Sequence, residues 1–276
     1  MMGPVIDRRA RAAVRSLRGR IRTALPASRR REQSSEEEII ARELHDNASL
    51  MSPADRAIVE RALPYTLTGV PRLLALIDAV RYCVTRPIPG AFVECGVWRG
   101  GSVLAMVLQL RELRVTDRDL YLYDTFEGMT APTEVDTSAF EQPALEKWRW
   151  AEDEGLPPWG ELLADDFNEH AVRSLLVSAG YPATRMRLVK GPVEQTLPAG
   201  APGDIALLRL DTDWYESTLH ELQHLYPRLS PGGVLIVDDY GHWEGCRRAV
   251  DEYFSSHAPP LLFSRIDYTA RMAVKH

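Results

Sequence analysis

The sequence predicts an α/β protein built on a doubly wound, mostly parallel sheet, with a helical cover before it and an antiparallel hairpin at its C-terminal edge. Three observations carry that expectation. From Ala91 onward, short apolar runs of strand length alternate with longer helical patterns, as parallel strands joined by crossover helices do. Two runs, 205–210 and 234–237, end in acids: Asp211 with Asp213, and Asp238 with Asp239. The last two apolar runs are separated by a short connection, so they pair antiparallel.

With 276 residues, the chain suffices for one large domain and its appendages. A net charge of −6 excludes a general attraction for nucleic acid. The charge is uneven, because the segment 1–33 is rich in arginine and nearly free of acids. It reads as a flexible or partly helical arm, although Val14, Leu17, Ile21 and Leu25 would also allow a helix on an anionic membrane surface. Cys83, Cys95 and Cys246 stand at unrelated spacings, which suggests neither a disulfide framework nor a zinc site. No run is long enough to span a membrane, and no secretory apolar core follows the basic arm. A cytoplasmic protein without a stable membrane anchor is expected, and a homo-oligomer is left open.

The elements follow in order. Ser34-Ser35-Glu36-Glu37-Glu38 starts a helix to about Leu44, and Ser52-Pro53-Ala54-Asp55 starts another, with proline in the first turn. A third helical pattern, 70–85, stops before Pro87. Pro89-Gly90 introduces the strand 91–96, and Glu94-Cys95-Gly96-Val97-Trp98-Arg99-Gly100-Gly101-Ser102 turns it into the helix 103–113. Glycine at such a turn lets a ligand approach the backbone and the helix N-terminus. The second strand, 119–124, ends in Asp124, at the position where an acid bonds ribose hydroxyls in nucleotide-binding sheets; a turn-capping role for Asp124 stays open.

Periodicity is lost over 130–160, a stretch of prolines, acids and aromatics that reads either as a lid or as helices packing their tryptophans inward. A helix from Asp165 to about Ala179, a strand 186–190, the acid-ended strand from Ile205, a helix 217–229, a turn Ser230-Pro231-Gly232-Gly233, a strand 234–238, a helix 244–256 and the hairpin strands 261–266 and 268–275 complete the chain.

If both acid-ended strands lie in one parallel sheet, Asp211, Asp213, Asp238 and Asp239 surround one cleft, since ligands of open α/β sheets bind at that edge. Clustered acids repel unless a cation joins them, and an all-oxygen donor set favours Mg²⁺ over zinc. The alternative is that they cap helices or sit in solvated turns. His220 and His224 are spaced as helix ligands but on a helix leading away from the cleft; His242, close behind Asp239, is a second candidate to meet a substrate.

This layout is that of the class I methyltransferase fold. Four ordered blocks, Glu94 to Gly101, Asp124-Thr125-Phe126-Glu127-Gly128, Leu208-Arg209-Leu210-Asp211-Thr212-Asp213 with Tyr215-Glu216-Ser217-Thr218, and Leu229 to Gly233 with Val237-Asp238-Asp239-Tyr240-Gly241, together resemble the macrocin O-methyltransferase family. Members of that family act on mycinamicin and on the sugar of novobiocin. The resemblance runs from about Tyr65 to the C-terminus and leaves the arginine-rich arm outside; Thr212 stands where many members have glycine. It implies S-adenosylmethionine at the first two strand ends, with Glu94 and Gly96 near its amino acid portion, Asp124 on its ribose, and Ser102, Thr125 and Phe126 completing the pocket. It further implies Mg²⁺ on Asp211, Asp238 and Asp239, Asp213 as general base, and a small hydroxylated, glycosylated acceptor. The corresponding division is an arm (1–33), a helical cover (34–88) and a methyltransferase domain (89–276) with the lid at 130–160. Two other readings compete: a nicotinamide-dependent oxidoreductase, disfavoured because the first turn is not Gly-x-Gly-x-x-Gly, and a non-catalytic binding protein on the same fold, disfavoured by the intact acids.

Overall fold

The computed structural model describes residues 38–160 and 167–276. The basic arm and the start of the first predicted helix therefore lie outside the described residues. The helical cover comprises α1 (38–46), α2 (Pro53–Ala62) and α3 (Val70–Thr85). Ser52 starts α2 as the sequence predicts: its hydroxyl accepts from the Asp55 N–H while the Asp55 carboxylate bonds the Ser52 N–H, a reciprocal capping box.

Then the sheet and its helices alternate: β1 (Ala91–Cys95), α4 (Gly101–Glu112), β2 (Leu120–Asp124), α5 (Ala144–Asp153), α6 (Glu169–Ser178), β3 (Met186–Lys190), α7 (Val193–Thr196), β4 (Ile205–Leu210), α8 (Tyr215–Leu225), β5 (Leu229–Val237), α9 (Glu244–Ser256), β6 (Ser264–Arg265) and β7 (Arg271–Val274). The strand order is β3-β2-β1-β4-β5-β7-β6; β1 to β5 pair in parallel, and β7 is antiparallel to β5 and β6. This is the expected doubly wound sheet with its antiparallel edge.

Several predicted boundaries move. The helix expected from Asp165 begins at Glu169, capped by the Asn168 side chain on the Ala171 N–H; 161–166 are outside the described residues. The predicted helix 217–229 is instead α8 from Tyr215 to Leu225 followed by a short 3₁₀ turn, and the Ser230-Pro231-Gly232-Gly233 turn lies within β5. The pairing shift there, Ile205 opposite Leu229 but Leu207 opposite Val234, absorbs the extra residues as a bulge. In the hairpin, β6 shortens to two residues.

Strand alternation sorts the sheet's side chains into two cores. Phe92, Leu122, Leu207 and Ile236 pack under the cover and α4, whereas Val93, Tyr123, Leu208, Leu210 and Val237 pack under α8 and α9. Arg209 and Asp211 share the parity of Leu207 and so belong to the cover side; Thr212 shares that of Leu208 and Leu210. No helix among the described residues is long and apolar enough to cross a membrane.

Candidate active site

The C-terminal ends of β1, β2, β4 and β5 open into one cleft of about 490 Å³, a volume suited to small molecules. Its β1–β2 half includes Gly96, Val97, Trp98, Ser102, Asp124 and Thr125; its β4–β5 half includes Asp211, Asp213, Asp238 and Asp239. Gly96 is obligatory for the architecture itself: its φ is 82°, and a Cβ there would lie 1.9 Å from the Asp211 carbonyl oxygen. Trp98, Phe126 and Asp213 are non-glycine residues with φ of 48°, 52° and 68°. All three follow strand ends, and backbone held in that region at a cleft is a mark of a functional site.

The β1–β2 half departs in detail from the expectation. Asp124 lines the cleft, but its carboxylate also accepts from the backbone N–H groups of Val97 (2.7 Å), Trp98 (2.8 Å) and Phe126 (2.6 Å). The turn-capping role open to it in the sequence is therefore present, whatever else its remaining lone pairs bind. Burial raises its pKa, against those three bonds. Glu94 and Phe126 are not on the cleft wall. Phe126 packs into the core on the cover side, and Glu94 is fully buried, accepting from the Ser102 hydroxyl and from Arg209. Burial pushes Glu94 up to about 7 in spite of the Arg209 cation.

Arg209 organises the other half, a task that the sequence blocks alone do not assign to it. Its guanidinium reaches Glu94 at 2.7 Å, Asp211 at 2.8 Å, Asp238 at 2.6 Å and the Thr68 hydroxyl at 2.9 Å. An arginine in an otherwise apolar strand, two residues from an acid on the same face, is the signal that could have found it. Arg72 of α3 bonds the other oxygen of Asp238 and approaches Asp267 at 3.2 Å, tying the cover and the hairpin to the acids. Burial opposes the ionisation of Asp238, yet Arg209 and Arg72 together hold its pKa below the usual range. The others go the opposite way. Burial lifts Asp211 to about 6 against Arg209, lifts Asp213 to about 8 with the help of Asp211, and raises Asp239 well above its ordinary value with the help of Asp213 and Asp211.

Asp211, Asp238 and Asp239 each present an oxygen within 4.8 Å of the others. Opposite ligands of an octahedral Mg²⁺ stand about 4.2 Å apart, so small side-chain adjustments bring this all-oxygen set to ligating distance. The donor chemistry fits a hard divalent cation. Asp213 is set apart from the three: the Trp243 indole N–H donates to its Oδ1 at 2.9 Å, and its own backbone turns under a Trp214 N–H to Thr212 carbonyl bond of 2.8 Å.

The segment 130–160 contains a helix, α5, and reaches the cleft with Thr130, Glu141, Lys147 and Trp159 at its wall. Trp159 packs inward against Trp148 and Trp214, while Trp150 is exposed, so the segment is partly a cleft wall and partly an inward-packed helix. Asp136, fully buried, accepts from the Tyr215 N–H at 2.8 Å and from the Thr133 N–H at 2.7 Å. It thereby caps α8, whose own N-cap, Trp214, makes no side-chain capping bond. His242 lines the cleft with its nitrogens 3.1 Å from Tyr268 and from Glu141. His220 and His224 contact each other edge to face, ring centroids 4.3 Å apart, and neither lines the cleft.

The family model for macrocin O-methyltransferases matches residues 18–274. The chain belongs to the macrocin O-methyltransferase family. The match begins well before Tyr65, where the resemblance of the sequence blocks starts, and so takes in the whole cover and part of the arm. As a member of this family, the protein is an S-adenosylmethionine-dependent O-methyltransferase. It is 36% identical over 223 residues, 78% of each chain, to the 8-demethyl-8-(2,3-dimethoxy-alpha-L-rhamnosyl)-tetracenomycin-C 4′-O-methyltransferase of Streptomyces olivaceus. To the mycinamicin III 3″-O-methyltransferase of Micromonospora griseorubida it is 33% identical over 193 residues, 70% of this chain and 71% of that one. Among solved structures, the O-methyltransferase NovP is similar with a TM-score of 0.64 and 31% identity, covering 76% of this chain and 82% of that one. The oxidoreductase and non-catalytic alternatives are not favoured, since the family and these relatives are methyltransferases.

Proposed function

We propose that the protein methylates a sugar hydroxyl of a glycosylated small molecule, with a divalent cation, Mg²⁺, held by Asp211, Asp238 and Asp239 and with Asp213 as general base. The observation that carries this reading is the convergence of those three carboxylates within 4.8 Å in the same cleft as Gly96, Ser102, Asp124 and Thr125. The relatives named for sugar substituents support the acceptor class. When bound, the cation lowers the pKa of the acceptor hydroxyl, and S-adenosylmethionine supplies the methyl group.

The chain's own groups do the rest. Asp213, whose Oδ1 is occupied by Trp243, has Oδ2 left to accept the hydroxyl proton. Burial raises its proton affinity, which makes it the stronger base once it is ionised. Arg209 and Arg72 hold Asp238 ionised and fixed, and Arg209 fixes Asp211 in the same way. Trp159, Trp214 and Trp243, packed in series against the cleft and almost wholly buried, give it a rigid apolar backing. Holding two reactants in one cleft is itself a large part of the acceleration.

The test is a mass-shift assay. Purified protein, S-adenosylmethionine and a panel of deoxysugar glycosides are incubated with Mg²⁺ and, in parallel, with excess EDTA. A gain of one methyl group that EDTA abolishes is expected. Turnover that persists with metal content verified as negligible refutes the cation's role; methylation confined to non-glycosidic phenols or catechols refutes the acceptor class.

A further inference from the structure

Glu221 has no place in the mechanism above. It sits on α8 facing the sheet, fully buried, beside positions such as Leu222 and Leu225 that are apolar and pack into the core. Its Oε2 has no hydrogen-bond partner. An acid buried in that way is costly compared with leucine, so the contact it does make calls for an explanation. The Thr212 hydroxyl lies 3.0 Å from Glu221 Oε1 and donates to it; the Cys95 thiol is its other polar neighbour.

Thr212 stands between Asp211 and Asp213, at the point where their tasks separate. Residues two apart in a continuing strand face the same way, and Asp211 duly faces the cover side with Arg209. Asp213 escapes that parity because the chain makes a three-residue turn around it. Its φ is 68°, and the Trp214 N–H closes on the Thr212 carbonyl at 2.8 Å. A hydrogen bond from residue three to residue one around a positive φ is the rare and strained form of γ-turn, and such a conformation persists only where its surroundings over-determine it. The Trp214 indole N–H anchors the end of the turn on the Thr130 carbonyl at 2.9 Å. Trp243 holds the Asp213 side chain at 2.9 Å, the Ser217 hydroxyl reaches the Thr212 carbonyl at 3.3 Å, and Glu221 holds the Thr212 side chain.

We infer that Glu221 is a positioning residue: through the Thr212 hydroxyl it anchors the strained turn to α8 and so sets where the Asp213 carboxylate meets the acceptor. The inference rests on the reading of Asp213 as the base, and the experiment keeps the two apart. Glu221→Leu, Glu221→Gln and Thr212→Val are compared with the parent for kcat, KM, melting temperature, and the affinities for Mg²⁺ and S-adenosylmethionine measured by calorimetry without acceptor. Glu221→Leu is also made in the Asp213→Asn background.

Expected is a fall in kcat of about 10–100-fold for Glu221→Leu and Thr212→Val, the scale of a misplaced reacting group, with both affinities within about twofold of the parent. Glu221→Gln, which keeps an acceptor oxygen at the same place, recovers most of the rate. On top of Asp213→Asn, Glu221→Leu adds no more than about twofold, because a residue acting through another has nothing left to act on. A parental kcat for Glu221→Leu overturns the proposal, as does a full, multiplicative loss in the Asp213→Asn background. Where Glu221→Leu does not fold, Thr212→Val decides, since it removes one hydroxyl from a half-buried position. If Asp213→Asn alone turns over at the parental rate, it is the assignment of the base that fails, and that result is read independently of the Glu221 variants.

Discussion

Replacing Asp213 by asparagine tests the division of labour in the acid cluster. Asparagine is the least disruptive choice, because it tolerates a φ of 68° nearly as well as aspartate does and its amide oxygen can still accept from Trp243. What it removes is the proton acceptor and one negative charge. Loss of a general base lowers turnover by about 10²–10⁴, equivalent to about 3–5 kcal/mol of barrier. The charge has a second consequence, visible without acceptor. In the folded, metal-free protein Asp213 binds its proton up to about pH 8 against an ordinary 3.8, because of burial and then Asp211. The unfolded chain releases that proton first, so the folded state binds more protons through this window. Stability contributed by the group is therefore full below about pH 4 and is lost as pH rises toward 8. Asp213→Asn should flatten that decline in the chelated protein and raise its melting temperature at pH 8. Single-turnover rates, cation and cofactor affinities, and melting curves across pH in EDTA make up the assay. A parental rate would send the search for the base to His242, while loss of cation affinity would make Asp213 a ligand and refute the separation argued here.

Other outcomes follow from the same geometry. Asp211→Asn should lose Mg²⁺ affinity and activity together, with cofactor affinity nearly unchanged, as calorimetry with each ligand alone will read. Asp124→Ala should weaken S-adenosylmethionine binding and also lower stability by about 1–3 kcal/mol, because three backbone donors lose their acceptor; an unchanged cofactor affinity with a lowered melting temperature would leave it a turn cap alone. Asp136→Ala removes the cap on α8 that its own N-cap does not supply, at a cost of about 1–2 kcal/mol, read by urea denaturation, and should speed proteolysis within 130–160.

Legibility in the sequence divides along a physical line. Parallel strands buried on both faces announce themselves as apolar runs, and residues that end such runs are placed by the fold class alone; hence the pattern of residues is enough to put Asp211, Asp213, Asp238 and Asp239 around one cleft. The strand 186–190 and the helix 244–256 are legible to the residue. By contrast, the course of β5 depends on a bulge opposite Ile205–Leu207, a tertiary pairing with no local signature. The same holds for Glu94. Its position at the end of β1 is plain, but that its carboxylate turns away from the cleft to Arg209 and Ser102 follows from side chains on another strand and helix. The Arg72 and Thr68 contacts come from the cover, more than a hundred residues from the groups they hold, and no spacing rule reaches that far.

The charge arrangement explains why the acids occupy two states at once. Glu94, Asp211 and Asp238 pair with the guanidinium of Arg209, and Arg72 reaches Asp238 as well. Asp238 is accordingly the one whose pKa falls, while the others rise, Asp213 to about 8. An arginine supplies directed bonds as well as charge, so Asp211 and Asp238 are held in place by partners that no cation has to provide. Asp239 and Asp213 form no ion pair among the described residues, and they keep the imbalance that a divalent cation or a transferred proton relieves. On the proposed reading, acids fixed by arginine on the cover side bind the cation and the acid on the strained turn takes the proton, with two residues of chain, Asp211 to Asp213, holding the two tasks apart.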